Sequence, residues 1–179
     1  MSDDNSWLVI IDMQTIFREA GKWPCPRFDE ILSPIRQLAA QYRGRTLLTR
    51  FVDPPQKNGS WVPYYETFPF ANVPDTDALY DIVEELADLV TPGNVVTMTT
   101  FSKWGDEQNG IRSKTGAYPH LLLTGVATDC CVLSTAMSAA EAGAFVTVAM
   151  NACAASSDQN QIAAEQILNG YAPLISLQH

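Results

Sequence analysis

Side chains that could do chemistry stand at the end of three of the apolar runs in this sequence. Asp12 closes the first run, Lys103 follows the third, and residues 128–131 connect the fourth run to an alanine-rich stretch. A cysteine in the first turn of a helix, such as Cys131, lies near amide dipoles that favour the reactive thiolate, although most buried cysteines are structural. A carboxylate at the end of a buried strand needs a partner, so Asp12 either braces a loop or takes part in catalysis.

The apolar runs alternate with helical patterns along the chain. Each run is too continuous for a strand with one exposed face, which is typical of strands buried on both faces in a parallel sheet. We predict strands at residues 7–13, 46–52, 95–101, 121–127 and 145–150, with a short sixth strand at 174–177. We predict helices at residues 28–42, 77–89, 131–143 and 159–168, a short helix at 108–113, and an irregular segment at 53–75.

This order of elements predicts the fold class and the place of the site. Alternating strands and helices favour an α/β fold, a single doubly wound domain over residues 1–179. We expect a mostly parallel sheet of five or six strands with helices on both faces. In such sheets the site lies beyond the carboxyl ends of the strands, which is where Asp12, Lys103 and Cys131 are predicted to lie.

Composition limits the partners. Eleven basic and twenty acidic residues give a net charge of −9, which argues against nucleic acid and anionic lipid as partners. Residues 1–5 are acidic and polar where a signal peptide would be basic, and the apolar residues 7–11 are too few to cross a membrane, so we expect a cytoplasmic protein. Charged residues make up only 17%, which favours a homo-oligomer that covers part of the surface.

Cysteine and histidine usage argues against disulfides and bound metals. The four cysteines stand at positions 25, 130, 131 and 153 without a CxxC pair, and a chain of this length does not need disulfides, so we interpret them as free thiols in a reducing compartment. His120 and His179 are the only imidazoles, which leaves few candidates for a histidine-based metal site. No cofactor is predicted.

Three segments resemble the isochorismatase-like cysteine hydrolases, a superfamily that includes nicotinamidases, carbamoylsarcosine amidases and isochorismatases. They are residues 9–14 (VIIDMQ) with Phe17, residues 100–104 (TFSKW), and residues 125–132 (GVATDCCV) continuing to residues 134–136 (STA). The third segment is highly specific, and the order of predicted strands extends the similarity over nearly the whole chain. The resemblance implies a small-molecule substrate and makes a dimer or tetramer plausible.

The resemblance also implies roles for individual residues. Cys131 would be the nucleophile, Asp12 the proton acceptor, and the amides of Ala127 and Cys131 the oxyanion hole, with a cis peptide between Val126 and Ala127. The thiolate would attack an amide or carbamoyl carbon, ammonia or an amine would leave, and water activated by Asp12 would release the acyl group. The implied reaction is hydrolysis of a C–N bond in a small amide, urea or carbamoyl compound through a thioester.

The sequence departs from the family pattern at the catalytic lysine. That lysine normally stands three residues ahead of an aromatic residue which here is Phe101, and this chain has Met98 at the position. Lys103 is the nearest substitute as third catalytic residue. Its long side chain either reaches back into the cleft or points into solvent.

A second departure concerns metal. Nicotinamidases of the family carry an aspartate and histidine cluster after the second strand, whereas residues 50–55 (RFVDPP) contain no histidine. One carboxylate, Asp53, does not make a zinc site. We therefore predict no metal, and we rank nicotinamide below other amide substrates.

Aromatic residues are candidates for substrate binding. Phe17, Trp61 and Trp104 lie in segments that we expect to rim the cleft. Each either contacts substrate or belongs to the core or to a subunit contact. Tyr64 and Tyr65, in the irregular segment, either close over a small ligand or pack against a neighbouring subunit.

Two other functional classes stay open. A catalytically impaired relative would keep the pocket to bind a ligand or a partner, and Met98 at the lysine position is the main support for it. Retention of Asp12, Cys131 and residues 125–132 favours the hydrolase instead. Redox sensing through Cys130 and Cys131 is disfavoured, because a disulfide between adjacent cysteines is strained.

Overall fold

A six-stranded parallel sheet forms the centre of the computed structural model, which describes residues 5–20 and 22–179. The strands are β1 (Ser6–Ile11), β2 (Thr46–Phe51), β3 (Val95–Met98), β4 (His120–Val126), β5 (Phe145–Ala154) and β6 (Ile175–Gln178). Their order across the sheet is β3-β2-β1-β4-β5-β6, and every neighbouring pair is parallel. The predicted doubly wound α/β fold, including the short sixth strand, is confirmed.

The central strand β1 explains why the apolar runs do not alternate with polar residues. Leu8 and Ile10 belong to one buried core cluster, and Val9 and Ile11 belong to a second. Successive side chains of a strand point to opposite faces, so a strand covered on both faces must be apolar throughout.

Helices cover the two faces of the sheet. They are α1 (Leu32–Gln41), α2 (Trp61–Thr67), α3 (Arg112–Thr115), α4 (Leu133–Glu141) and α5 (Asp158–Gly170). Helix α1 buries Ile35 and Ala39 in the first core cluster, and α4 buries Ala136 and Ala140 in the second. The small alanine side chains allow the backbone of α4 to lie close to the sheet.

The prediction of a helix over residues 77–89 is wrong. Two 3₁₀ turns, Ala78–Tyr80 and Glu84–Leu89, flank an extended stretch in this region. The amide of Thr15 donates to the carbonyl of Asp81 (3.0 Å), and the amide of Val83 donates to the carbonyl of Met13 (3.0 Å). These long-range hydrogen bonds engage the backbone groups that a helix would use locally, so tertiary structure overrides the local pattern.

Several other boundaries differ from the predicted ones. The segment predicted to be irregular contains α2, and the short helix expected at residues 108–113 begins instead at Arg112. Strand β3 ends at Met98 rather than at residue 101, and β5 continues to Ala154 rather than ending at residue 150.

Two further observations concern membranes and cysteines. Within residues 5–20 and 22–179, no helix has the length and apolar character that crossing a bilayer requires. Residues 1–4, which entered the argument about a signal peptide, lie outside the described residues. The four cysteines are free thiols, of which Cys25, Cys131 and Cys153 are buried and Cys130 is half-buried.

Candidate active site

The strand order creates a crevice between the carboxyl ends of β1 and β4. The chain crosses from one half of the sheet to the other between these neighbouring strands, and the loops that follow them separate to opposite faces. Asp12 directly follows β1, and Ala127 directly follows β4. The topology therefore brings the two segments singled out in the sequence to the same edge of the sheet.

Asp12 is fully buried and has an unusual backbone conformation. Its φ of 50° lies in the left-handed region, and Asp12 is alone in this among the non-glycine residues that the structure describes. Its Oδ1 accepts a hydrogen bond from the Thr49 hydroxyl (2.5 Å), and its backbone N–H donates to the same hydroxyl oxygen (3.1 Å). A strained backbone held by its surroundings is often found at functional sites.

Lys103 lies beside Asp12 and is 0% exposed. Its Nζ is 2.9 Å from Asp12 Oδ2, and it donates to the carbonyls of Thr100 (2.6 Å) and Phe101 (3.0 Å). The ammonium also lies 5.1 Å from the centre of the Phe51 ring. Of the two placements left open by the sequence, the structure has the one in which Lys103 reaches back into the cleft.

The second carboxylate oxygen of Asp12, Oδ2, differs from Oδ1 in its contacts. Although Lys103 Nζ is close to Oδ2, the contact lacks hydrogen-bond geometry, and Oδ2 has no hydrogen-bond donor among the described residues. The contact is therefore an ion pair, and Oδ2 is a buried oxygen without a hydrogen bond among the described residues.

The turn between β4 and α4 carries the cysteines. The Val126–Ala127 peptide bond is cis, and residues Thr128–Val132 form a π-helical turn that leads into α4. The carbonyl of Ala127 accepts hydrogen bonds from the amides of Cys130 (3.0 Å) and Val132 (3.1 Å). This turn places Cys131 at the beginning of a helical segment, as the sequence predicted.

Thr135 on α4 connects this turn to the segment that carries Lys103. Its hydroxyl donates to the carbonyl of Cys131 (2.6 Å) and accepts from the backbone N–H of Lys103 (2.9 Å). The buried Thr135 thus fixes the positions of the thiol segment and the ammonium segment relative to each other.

Gly125 allows β4 to approach β1 closely at the site. Its φ is 104°, and a Cβ at this position would lie 2.1 Å from the carbonyl oxygen of Ile11. The crevice beside Asp12 therefore requires glycine at this position.

Two adjacent thiols share the floor of the crevice. A hydrogen bond with Cys130 and burial raise the pKa of Cys131, and the nearby Lys103 ammonium opposes them by lowering it. The same hydrogen bond lowers the pKa of Cys130. With its pKa raised, the Cys131 thiol becomes a nucleophile more readily when a base is at hand.

A cavity of about 370 Å³ opens above these thiols. Its walls are mainly aromatic, and its mouth carries a few polar side chains. The lining residues are Phe17, Lys22, Trp23, Pro24, Phe51, Tyr64, Phe101, Ala127, Asp129, Cys130, Cys131 and Ser156. The predicted residues Phe17, Ala127 and Cys131 therefore face one common space, with Asp12 and Lys103 behind it.

Trp23 is the centre of the aromatic wall, and the sequence analysis missed it. Its ring lies 5.1–6.0 Å, between centroids, from five other rings, those of Phe17, Phe51, Tyr64, Phe68 and Phe70. The available signal was a tryptophan in the loop that follows β1, since loops at the carboxyl ends of strands build the site in such sheets.

Two predicted rim residues lie elsewhere. Trp61 packs behind the wall, with its ring 5.2 Å from Phe101 and 5.3 Å from Tyr64, and it does not line the cavity. Trp104 is 4% exposed and belongs to the core cluster on the α4 side, together with Ile111 and Val132. Neither ring lines this cavity, and contact of Trp61 or Trp104 with substrate stays a prediction.

The segment after β2 contains an internal ion pair. Lys57 Nζ lies 2.6 Å from Asp53 Oδ2 and 4.9 Å from the centre of the Tyr65 ring. No three His, Cys, Asp or Glu side chains converge to hold a metal ion in the part of the chain that the structure describes. Asp53 is neutralised by an ammonium, and one carboxylate engaged in this way does not fit a zinc site.

Comparison with known proteins identifies a family. The model of the isochorismatase domain matches residues 6–179, which is almost the whole chain. No curated protein matches by sequence.

Solved structures share the fold over nearly their full lengths. An isochorismatase-like hydrolase from Alkaliphilus metalliredigens is 18% identical with a TM-score of 0.74, covering 97% of this chain and 94% of its own. The yeast nicotinamidase is 18% identical with a TM-score of 0.75, covering 97% and 99%. The N-carbamoylsarcosine amidase from Thermoplasma acidophilum is 20% identical with a TM-score of 0.72, covering 98% and 96%.

Proposed function

The chain belongs to the isochorismatase family of hydrolases, and from this we propose that it hydrolyses a C–N bond of a small amide, urea or carbamoyl compound through a thioester on Cys131. The single observation that carries the proposal is the buried ion pair of Lys103 and Asp12, 2.9 Å apart, behind the cavity that Cys131 lines. The names of two similar structures, a nicotinamidase and an N-carbamoylsarcosine amidase, agree with this reaction class.

The first half of the reaction forms the thioester. Asp12 Oδ2 takes the proton of the Cys131 thiol, and the sulfur attacks the carbonyl carbon of the substrate. The amides of Ala127 and Cys131 donate to the oxyanion that develops. As the C–N bond breaks, the proton held by Asp12 passes to the leaving nitrogen, and ammonia or an amine departs.

The second half regenerates the enzyme. Asp12 removes a proton from water, the resulting hydroxide attacks the thioester carbon, and the carbon–sulfur bond breaks. The acid product leaves, and the thiolate recovers its proton from Asp12. Throughout the cycle the Lys103 ammonium stabilises the negative charge, which lies on Asp12 before proton transfer and on Cys131 after it, in a site that excludes water.

The proposal assigns substrate contact to the aromatic wall and keeps the prediction of a site without metal. Asp53 faces Lys57 rather than a cluster of metal ligands. We therefore keep the prediction that nicotinamide is a poorer substrate than other small amides.

The alternative of a catalytically impaired binding protein depended on the missing family lysine. Lys103 supplies an ammonium at the required place, although it follows β3 instead of standing on it. This contact favours hydrolysis over the alternative.

Two further parts of the proposal concern the state of the protein in the cell. We propose a cytoplasmic enzyme that works as a dimer or tetramer. Light scattering coupled to gel filtration measures the second of these, and a monomer at micromolar concentration would contradict it.

The experiment is ammonia release from a panel of small amides, ureas and carbamoyl compounds. We expect turnover by the wild type and none by Cys131→Ala or Asp12→Asn, with Cys153→Ala as the control. Cys153 is a buried thiol on strand β5 and does not line the cavity. Activity that survives in Cys131→Ala, or a wild type inactive on the whole panel, would contradict the proposal.

A further inference from the structure

We infer that Lys22 makes the mouth of the Cys131 cavity a binding site for a carboxylate of the substrate. The inference rests on the proposed function, and it narrows the substrate to compounds with an amide or carbamoyl group at one end and a carboxylate at the other. The amide end would reach Cys131, and the carboxylate would remain at the mouth beside the ammonium.

The position of Lys22 is the first observation. Lys22 lines the same cavity as Cys131 and is half-buried there. Its Nζ lies 5.4 Å from the centre of the Phe70 ring, which also contacts Trp23 of the cavity wall. A cation over a ring face is attracted to it, so the side chain is partly ordered before any ligand arrives.

The second observation is that this ammonium forms no ion pair with an acidic side chain of residues 5–20 or 22–179. Other cations make ion pairs among the described residues, including Arg18, Arg27, Arg36, Lys57, Lys103, Arg112 and His179. In a chain with a net charge of −9, carboxylates are plentiful. A half-buried lysine that pairs with none of the described carboxylates, in the lining of a mainly aromatic cavity, is suited to an anion from outside.

The one carboxylate in the cavity lining is already engaged. Asp129 accepts hydrogen bonds from the amide of Ser156 (3.0 Å), the hydroxyl of Ser156 (2.6 Å) and the side-chain amide of Asn160 (3.1 Å). These three donors disperse its charge and hold it against α5. Asp129 forms no ion pair with Lys22 among the described residues, and these donors hold its oxygens towards Ser156 and Asn160.

The remaining lining residues suit a ligand whose amide end is neutral and whose other end is a carboxylate. The lining also contains rings such as Phe17, Trp23 and Tyr64, which offer no charge to an anion, whereas Lys22 supplies an ammonium. A neutral amide can enter this space, and an anionic group is best accommodated at the mouth, where water and the ammonium both reach it.

The test measures binding to Cys131→Ala, so it does not depend on turnover. The ligands are succinamate, glutaramate and 4-carbamoylbenzoate, each paired with the neutral compound in which a nitro group replaces the carboxylate. Nitro and carboxylate groups have the same shape, so each pair differs chiefly in charge and in the hydrogen bonding that depends on it. Calorimetric titration at low salt should give at least one pair in which the carboxylate binds about tenfold more tightly, a preference that salt weakens.

Two further variants in the Cys131→Ala background identify the residue responsible. Lys22→Gln should reduce the preference for the carboxylate to less than about twofold and leave the affinity of the nitro compound unchanged. Lys114→Gln removes the same charge from an exposed lysine that does not line the cavity, and it should keep the full preference.

Each contrary result has one meaning. Equal affinities within every pair, a preference that survives Lys22→Gln, or a cavity that binds none of the ligands would overturn the inference about Lys22. Failure of the proposed function would appear elsewhere, as a wild type that releases no ammonia from any amide. The two failures are therefore distinguishable.

Discussion

Lys103 Nζ lies 2.9 Å from Asp12 Oδ2, although the two residues follow strands β3 and β1, which β2 separates in the sheet. Both side chains are fully buried. Removing two charges from water has a large desolvation cost, which well-packed apolar side chains would avoid. The pair therefore indicates a chemical requirement for a carboxylate and an ammonium at this place, and several predictions depend on it.

Lys103→Met keeps most of the side-chain volume and removes the charge. The change leaves the Asp12 carboxylate buried without its cation, so we expect a loss of stability of about 3–5 kcal/mol and a loss of kcat/KM of at least about a hundredfold. Urea denaturation and ammonia release measure the two effects. In the double variant Asp12→Asn/Lys103→Met, much of the stability should return, and simple additivity of the two losses would contradict the pairing.

Cys130→Ala should make Cys131 easier to deprotonate. The hydrogen bond with Cys130 is the largest cause of the raised pKa of Cys131, so its removal lowers that pKa, although burial still acts in the opposite direction. The pH dependence of iodoacetamide alkylation at Cys131, followed by mass spectrometry, should therefore shift to lower pH.

Cys25 and Cys153 serve as internal controls for that alkylation. Burial raises the pKa of each to about 12, so both should remain unmodified near pH 8. An alkylation profile of Cys131 that stays in place or moves to higher pH in Cys130→Ala would contradict the described arrangement of the thiols.

Gly125→Ala should strongly destabilise the protein. The added Cβ would meet the Ile11 carbonyl oxygen at 2.1 Å, and the φ of 104° is unfavourable for alanine. Steric overlap and backbone strain together should lower the free energy of unfolding by about 3 kcal/mol or more. The matched control is Gly170→Ala, where no atom lies within 4 Å of the added Cβ and we expect a change of less than about 1 kcal/mol in urea denaturation.

The sequence predicted the sheet well because strands buried on both faces have a clear local signature. The run from Leu8 to Ile11 is apolar on both sides, and no other element explains such a pattern between helical segments. Residues 77–89 carried an equally clear helical pattern and form no α-helix. The backbone of residues 77–89 forms hydrogen bonds with the backbone of Met13 and Thr15. A local sequence pattern contains no information about hydrogen-bond partners so far away in the chain.

The candidate site was predictable where a motif was local and less so where it depended on loops. Asp12 and Cys131 lie in short, specific segments at strand ends. The direction of the Lys103 side chain was open, because it depends on the carbonyls of Thr100 and Phe101 and on a carboxylate two strands away. Trp23 was missed because the folding of its loop against five rings has no signature in the neighbouring sequence.

The most direct test of the account is to trap the acyl group on the enzyme. A slowly hydrolysed amide from the active panel is mixed with wild type, the reaction is stopped with acid during turnover, and the protein is analysed by intact mass and peptide mapping. We predict a mass increase equal to the acyl group, located on Cys131, removed by hydroxylamine, and absent in Cys131→Ala. An acyl group on Cys130 instead, or rapid turnover in Cys131→Ala, would contradict the assignment of Cys131 as the nucleophile.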